Sequence, residues 1–106
     1  MQRTCFLLKV KPDMLENYKT AHANVWSDMQ AALKAAGWSN YSLFLREDGL
    51  VIGYVETEDF ETARAKLGES EVNARWQKEM APYFEELGDQ RADQGLKLLP
   101  GIFYLP

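Results

Sequence analysis

The chain has a single histidine, His22, and it stands in the stretch YKTAHANVW midway between Tyr18 and Trp26. Residues four apart lie one turn apart on the same side of a helix, so a helix through this stretch stacks a phenol, an imidazole and an indole along one face. Imidazole, with an unperturbed pKa of about 6.5, takes and gives a proton near neutral pH. Such a set suits proton transfer on a small uncharged ligand. The same spacing is also that of a core histidine with satisfied nitrogens, and the residues leave both readings open.

Other chemistries lack their residues. One histidine and one cysteine, with no CxxC, no HExxH and no carboxylate cluster on an apolar face, imply no metal. GxGxxG, GxxxxGK[ST] and GxSxG are all absent, so dinucleotide binding, P-loop phosphate transfer and serine hydrolysis are without signatures. A net charge of −4 with scattered Lys and Arg gives no basic field for nucleic acid. Cys5 is alone, the N-terminus does not read as a signal peptide, and no apolar window reaches membrane-spanning length. A soluble cytoplasmic protein is expected.

The elements that must position the histidine follow from punctuation and period. TCFLLKV (4–10) reads as a strand ending at Lys11-Pro12-Asp13. Asp13, with Glu16 three residues on, has capping-box spacing, and the helical period then runs from about Met14 to about Ala36, where Gly37 closes it. Leu15, Tyr18, His22, Val25, Trp26, Met29 and Leu33 share one face of that helix. YSLFLRE and LVIGYVE around Asp48-Gly49 form a hairpin. A helix from Asp59 to about Leu67 breaks at Gly68. A second starts at Ser70 and extends toward Leu87, with Pro82 ending or kinking it near Ala81. Residues 88–95 read as a polar loop without an apolar anchor, and LKLLPGIFYLP is a fourth apolar segment interrupted at Pro100-Gly101.

The order β α β β α β over a single domain, residues 1–106, predicts an α+β ferredoxin-like sandwich. FLLKV, LVIGYV and GIFYL are apolar at nearly every position, although a sheet covered on one face should alternate. The uncovered face then calls for a second copy of the chain, in a symmetric homodimer.

The whole chain resembles the L-rhamnose mutarotase family. The resemblance is carried by KPD after the first strand, Y-x3-H-x3-W (Tyr18, His22, Trp26), G-x2-NY (Gly37, Asn40, Tyr41), the tryptophan of ARWQKEM (Trp76) and the terminal FYLP (Phe103 to Pro106). It implies a dimeric α+β barrel enzyme, without metal or organic cofactor, that interconverts the α and β anomers of L-rhamnopyranose. By that resemblance His22 is the proton donor and Tyr18, Tyr41 and Trp76 contact the sugar; a second tier is expected in Trp26, beside Trp76 on the apolar face of the sugar, and in Asn40, toward its hydroxyls. The family commonly has two adjacent tryptophans where this chain has Trp76-Gln77, so Gln77 is expected to offer a hydrogen bond in place of a stacking surface. From spacing alone Trp76 reads as core, and Tyr41, at the start of a strand, is as readily a surface or interface residue as a site residue. Two competing readings share the fold: a cofactor-independent monooxygenase or haem-handling protein of the dimeric α+β barrel class, and a non-enzymatic module with an inert His22.

Overall fold

In the computed structural model, which describes residues 1–85, 87–88 and 90–106, the strands are β1 (Gln2–Lys9), β2 (Ser39–Leu45), β3 (Leu50–Thr57) and β4 (Lys97–Leu99). The helices are α1 (Leu15–Ala23), α2 (Ser27–Ala35), α3 (Phe60–Gly68) and α4 (Glu71–Met80). The strands make one antiparallel sheet in the order β2-β3-β1-β4, which is the ferredoxin-like order. Glu86 and Asp89, which belong to the expected end of the last helix and to the 88–95 loop, lie outside the described residues.

Local chemistry sets most of the boundaries. Asp59 accepts the Thr62 N–H at 3.3 Å to open α3, and Ser70 Oγ accepts the Asn73 N–H at 3.2 Å to open α4. In the hairpin, Gly49 N–H donates to the Arg46 carbonyl at 2.9 Å with φ +97°. A Cβ at Gly49 would collide with the Val10 carbonyl, so this turn needs glycine on two counts. Met80 ends α4 and Pro82 lies in a single 3-10 turn, Ala81–Tyr83.

Three expectations are corrected. The helix expected from Met14 to Ala36 is two helices, interrupted at Asn24 (φ −137°, ψ 61°) and Trp26 (φ −52°, ψ 136°). Asn24 and the β-branched Val25 are weak helix formers, and Ser27-Asp28 is helix-start chemistry. The Val25 carbonyl released by the break accepts from Gln30 Nε2 at 3.0 Å. Asp13 caps no helix: it sits inside a 3-10 turn, Pro12–Met14, with no side-chain cap. The last apolar segment yields a strand of only three residues, because Pro100 supplies no ladder donor and nothing regular follows it.

The two faces of the sheet differ in cover. Phe6, Leu8, Val51 and Val55 point into a core shared with Tyr18, Met29, Leu67, Trp76 and Met80. Gly53, paired with Phe6 across the β1–β3 ladder, makes room for the Phe6 ring, which occupies the place of a Cβ there. On the outer face Cys5, Leu7, Ile52 and Tyr54 are half-buried, while Phe44 is 61% and Leu99 44% exposed. Among the described residues, no helix covers this apolar side. Among the described residues, no helix is long and apolar enough to cross a membrane.

Candidate active site

Between the inner sheet face and the helices lies a cleft of about 1010 Å³, with Tyr18, His22, Trp38, Tyr41, Trp76 and Gln77 in its lining. Sequence-distant residues meet here because each element contributes one face. Tyr18 and His22 come from α1, with ring centroids 4.2 Å apart. Trp76, from α4, stands edge-on to His22 at 5.5 Å and to Trp26 at 5.0 Å. The break between α1 and α2 is what turns the Trp26 indole onto Trp76. An ion pair from Asp28 to Arg75, at 3.3 Å, joins α2 to α4 at the surface.

Tyr41 reaches the cleft through a defect in the ladder. Ser39 pairs with Glu56 and Ser42 with Tyr54, so Asn40 and Tyr41 together oppose the single residue Val55. Directly opposed residues share a face, and without this bulge the alternation from Ser39 would send Tyr41 to the outer side. Asn40 takes the strained position, with φ +45°. Asparagine tolerates that region better than most residues. Its side-chain amide donates to Glu56 Oε1 at 3.0 Å, so Asn40 serves the cleft by its backbone. Tyr41 then packs 5.0 Å from Trp38 and 6.3 Å from Phe6.

The histidine's tautomer follows from its partner. His22 Nδ1 lies 3.0 Å from the Tyr18 backbone carbonyl, which can only accept, so Nδ1 carries the proton. In the neutral ring Nε2 is therefore left with a lone pair for a ligand. Burial lowers the His22 pKa below its ordinary value, and the carbonyl bond opposes this only in part. The resting imidazole is neutral and starts as an acceptor. Burial also pushes Tyr18 and Tyr41 well above ordinary phenols, Tyr41 further through the neighbouring Tyr18 and the charge of Asp93. Both phenols stay protonated and can donate. A second crevice, about 290 Å³ between α1 and β2, reaches Tyr18 and His22 from the other side.

Gln77 lines the cleft, but its amide is engaged: Nε2 donates to Asn73 Oδ1 at 3.2 Å and Oε1 accepts the Asp93 N–H at 3.4 Å. It ties the segment after residue 90 to α4. Asp93 itself, only 6% exposed, is in the cleft lining and was not singled out from sequence. No periodic signal marks it, because the segment RADQG has no apolar pattern. The expectation of an unanchored loop is corrected, since both Ala92 and Asp93 are buried.

Fold and cleft together define an α+β protein with a ferredoxin-like sheet and one imidazole set among aromatic rings in an open pocket. The L-rhamnose mutarotase family model matches residues 3–105. The L-rhamnose mutarotase of Bacillus subtilis (strain 168) is 41% identical over 90 residues, covering 84% of this chain and 86% of that protein. The chain belongs to the L-rhamnose mutarotase family. Among solved structures, an L-rhamnose mutarotase from Formosa agariphila superimposes with a TM-score of 0.81 at 22% identity, each chain covered completely. A putative antibiotic biosynthesis monooxygenase from Nitrosomonas europaea follows at a TM-score of 0.63 and 18% identity, covering 97% of this chain and 100% of its own. That likeness is one of fold alone. The monooxygenase reading is not favoured by the family match.

Proposed function

We propose that this chain is an isomerase that interconverts the α and β anomers of L-rhamnopyranose by opening and reclosing the ring. The observation that carries the reading is the His22 Nδ1 to Tyr18 carbonyl bond, which fixes one tautomer and leaves Nε2 free beside the cleft. Opening a hemiacetal ring moves two protons and no electrons, so it requires one acceptor and one donor. His22 Nε2 takes the C1 hydroxyl proton while a neutral phenol, Tyr18 or Tyr41, donates to the ring oxygen as its bond to C1 breaks. After the C1 aldehyde rotates, the imidazolium returns its proton to the oxygen at C1 and the phenolate is reprotonated as the ring closes. His22 is therefore both acceptor and donor within one cycle. Trp76 covers the apolar C–H face and methyl group of the 6-deoxy sugar, with Trp26 bracing it from behind.

The reading includes one domain, residues 1–106, acting in the cytoplasm as a homodimer. The apolar outer sheet face, with Phe44, Ile52, Leu7 and Leu99 along it, supports the pairing of two copies. Saturation-transfer NMR on equilibrated L-rhamnose tests the activity. Anomer exchange should be faster with protein than in buffer at the same pH, and His22→Gln should remove roughly 10²- to 10⁴-fold of the enzymatic rate. Exchange no faster than in buffer refutes the activity, and an unimpaired His22→Gln returns His22 to the core.

A further inference from the structure

Asp93 is a buried carboxylate inside a cleft whose other polar groups are mostly neutral. It is held from two sides: Arg91 donates through Nε to Oδ1 at 3.0 Å and through its terminal nitrogen to Oδ2 at 2.7 Å, and Asn73 Nδ2 donates to Oδ2 at 2.9 Å. Asn73 is completely buried and is itself fixed by a bond from Nδ2 to the Leu67 carbonyl at 3.1 Å and by Gln77 at 3.2 Å. An ionised carboxylate has about four acceptor sites. Three are occupied among the described residues, two on Oδ2 and one on Oδ1, so one site remains on Oδ1.

A charged group of this kind is costly to bury unless its hydrogen bonding is completed. Arg91 alone would pair with a surface carboxylate equally well, so the ion pair does not explain why Asp93 lies in the cleft wall. Tyr41 lies on the same cleft, and the Asp93 charge helps keep its phenol protonated. A donor and an acceptor thus line one cleft, the phenol able to give a hydrogen bond to a sugar oxygen and the carboxylate able to take one from a sugar hydroxyl. From this geometry we infer that Asp93 is a specificity-determining substrate contact, its free Oδ1 site accepting a hydrogen bond from one ring hydroxyl of the sugar. The inference rests on the mutarotase reading for the identity of the sugar, and Gln77 acquires a role in it: its amide holds the Asp93 backbone in place.

The test is a double-mutant cycle between protein and ligand. Affinities of the wild-type protein and Asp93→Asn are measured by calorimetric titration for L-rhamnose and its 2-, 3- and 4-deoxy analogues, while NMR anomer exchange is followed separately on L-rhamnose. In the wild type, one deoxy analogue should bind roughly 10- to 100-fold more weakly, the usual cost of a hydrogen bond to a charged group. Asp93→Asn should weaken L-rhamnose by a similar factor and bind that one analogue about as well as the wild type does. Equal weakening of every ligand by Asp93→Asn means that Asp93 only shapes the loop, and overturns the inference. If Asp93→Asn does not fold, the wild-type series still decides, because three analogues within about threefold of L-rhamnose leave no hydroxyl for the carboxylate. Absence of anomer exchange alongside a hydroxyl-selective titration refutes the mutarotase activity and leaves the Asp93 contact standing.

Discussion

Replacing Gly53 by alanine tests how the sheet supports the cleft. The new methyl would occupy space now filled by the Phe6 ring, which is 1% exposed and faces Gly53 directly across the β1–β3 ladder. Phe6 cannot retreat through the sheet, so its ring must move toward Tyr41, whose centroid is 6.3 Å away, and into the cleft it helps to line. Overpacking of this kind costs about 1 to 3 kcal/mol. At about 4 to 8 °C per kcal/mol for a domain of this size, Tm should fall by roughly 4 to 24 °C. The overlap also makes the site conditional on its partner. Phe6→Leu alone leaves a cavity and destabilises, but in combination with Gly53→Ala it vacates the space the methyl needs. Thermal and urea unfolding of the two single variants and the double variant should therefore show a favourable coupling of about 0.5 to 3 kcal/mol. Costs that add to within about 0.5 kcal/mol would show that the ring and the glycine do not compete for one volume. L-rhamnose affinity should weaken in Gly53→Ala and recover partly in the double variant.

Since the folded His22 pKa lies below the ordinary 6.5, the unfolded chain takes up the proton first, and stability should fall as pH drops through the interval between the two. Anomer exchange should be lost in the same acid range, as Nε2 is protonated, with no alkaline limb below about pH 10 because Tyr18 and Tyr41 are pushed upward. NMR titration of the one imidazole checks this directly, and a midpoint at or above 6.5 contradicts it. At the ladder bulge, Asn40→Val should cost about 1 to 2 kcal/mol and weaken sugar binding through Tyr41, while Asn40→Gly is tolerated; equal unfolding midpoints in urea would remove the strain argument. On the outer face, Ile52→Glu should give a folded monomer by sedimentation velocity if two sheets pack together there, and an unchanged sedimentation coefficient would place the interface elsewhere.

What could be read from the residues depended on how local the cause was. Asp48-Gly49, Asp59, Ser70 and Pro82 act within a few residues of themselves, and the elements they delimit were accordingly legible. Lys97–Leu99 was legible as a strand, but not how soon Pro100 would stop it. The interruption at Asn24–Trp26 was hidden because Val25 and Trp26 fall on the same apolar stripe as His22, so the helical period runs through the break unaltered. What the break achieves lies 50 residues away, where the Trp26 indole meets Trp76, and that packing is not written in the local residues. Tyr41 was named through family resemblance, while its route into the cleft depends on a ladder register that strand alternation alone would have set the other way. Asp93 had no signal at all: its burial is produced by Asn73 and Gln77 on another element, and only the folded chain brings them together.

The placement of the indoles has a practical consequence. The chain has three tryptophans; Trp38 and Trp76 line the cleft, and Trp26 stands edge-on to Trp76. Nearly all of the intrinsic fluorescence therefore originates at or beside the proposed substrate site, and two of the emitters are perpendicular to within a few degrees, at an interplanar angle of 85°. Emission on excitation at the indole band, together with near-ultraviolet circular dichroism, makes the unlabelled protein its own optical sensor of cleft occupancy.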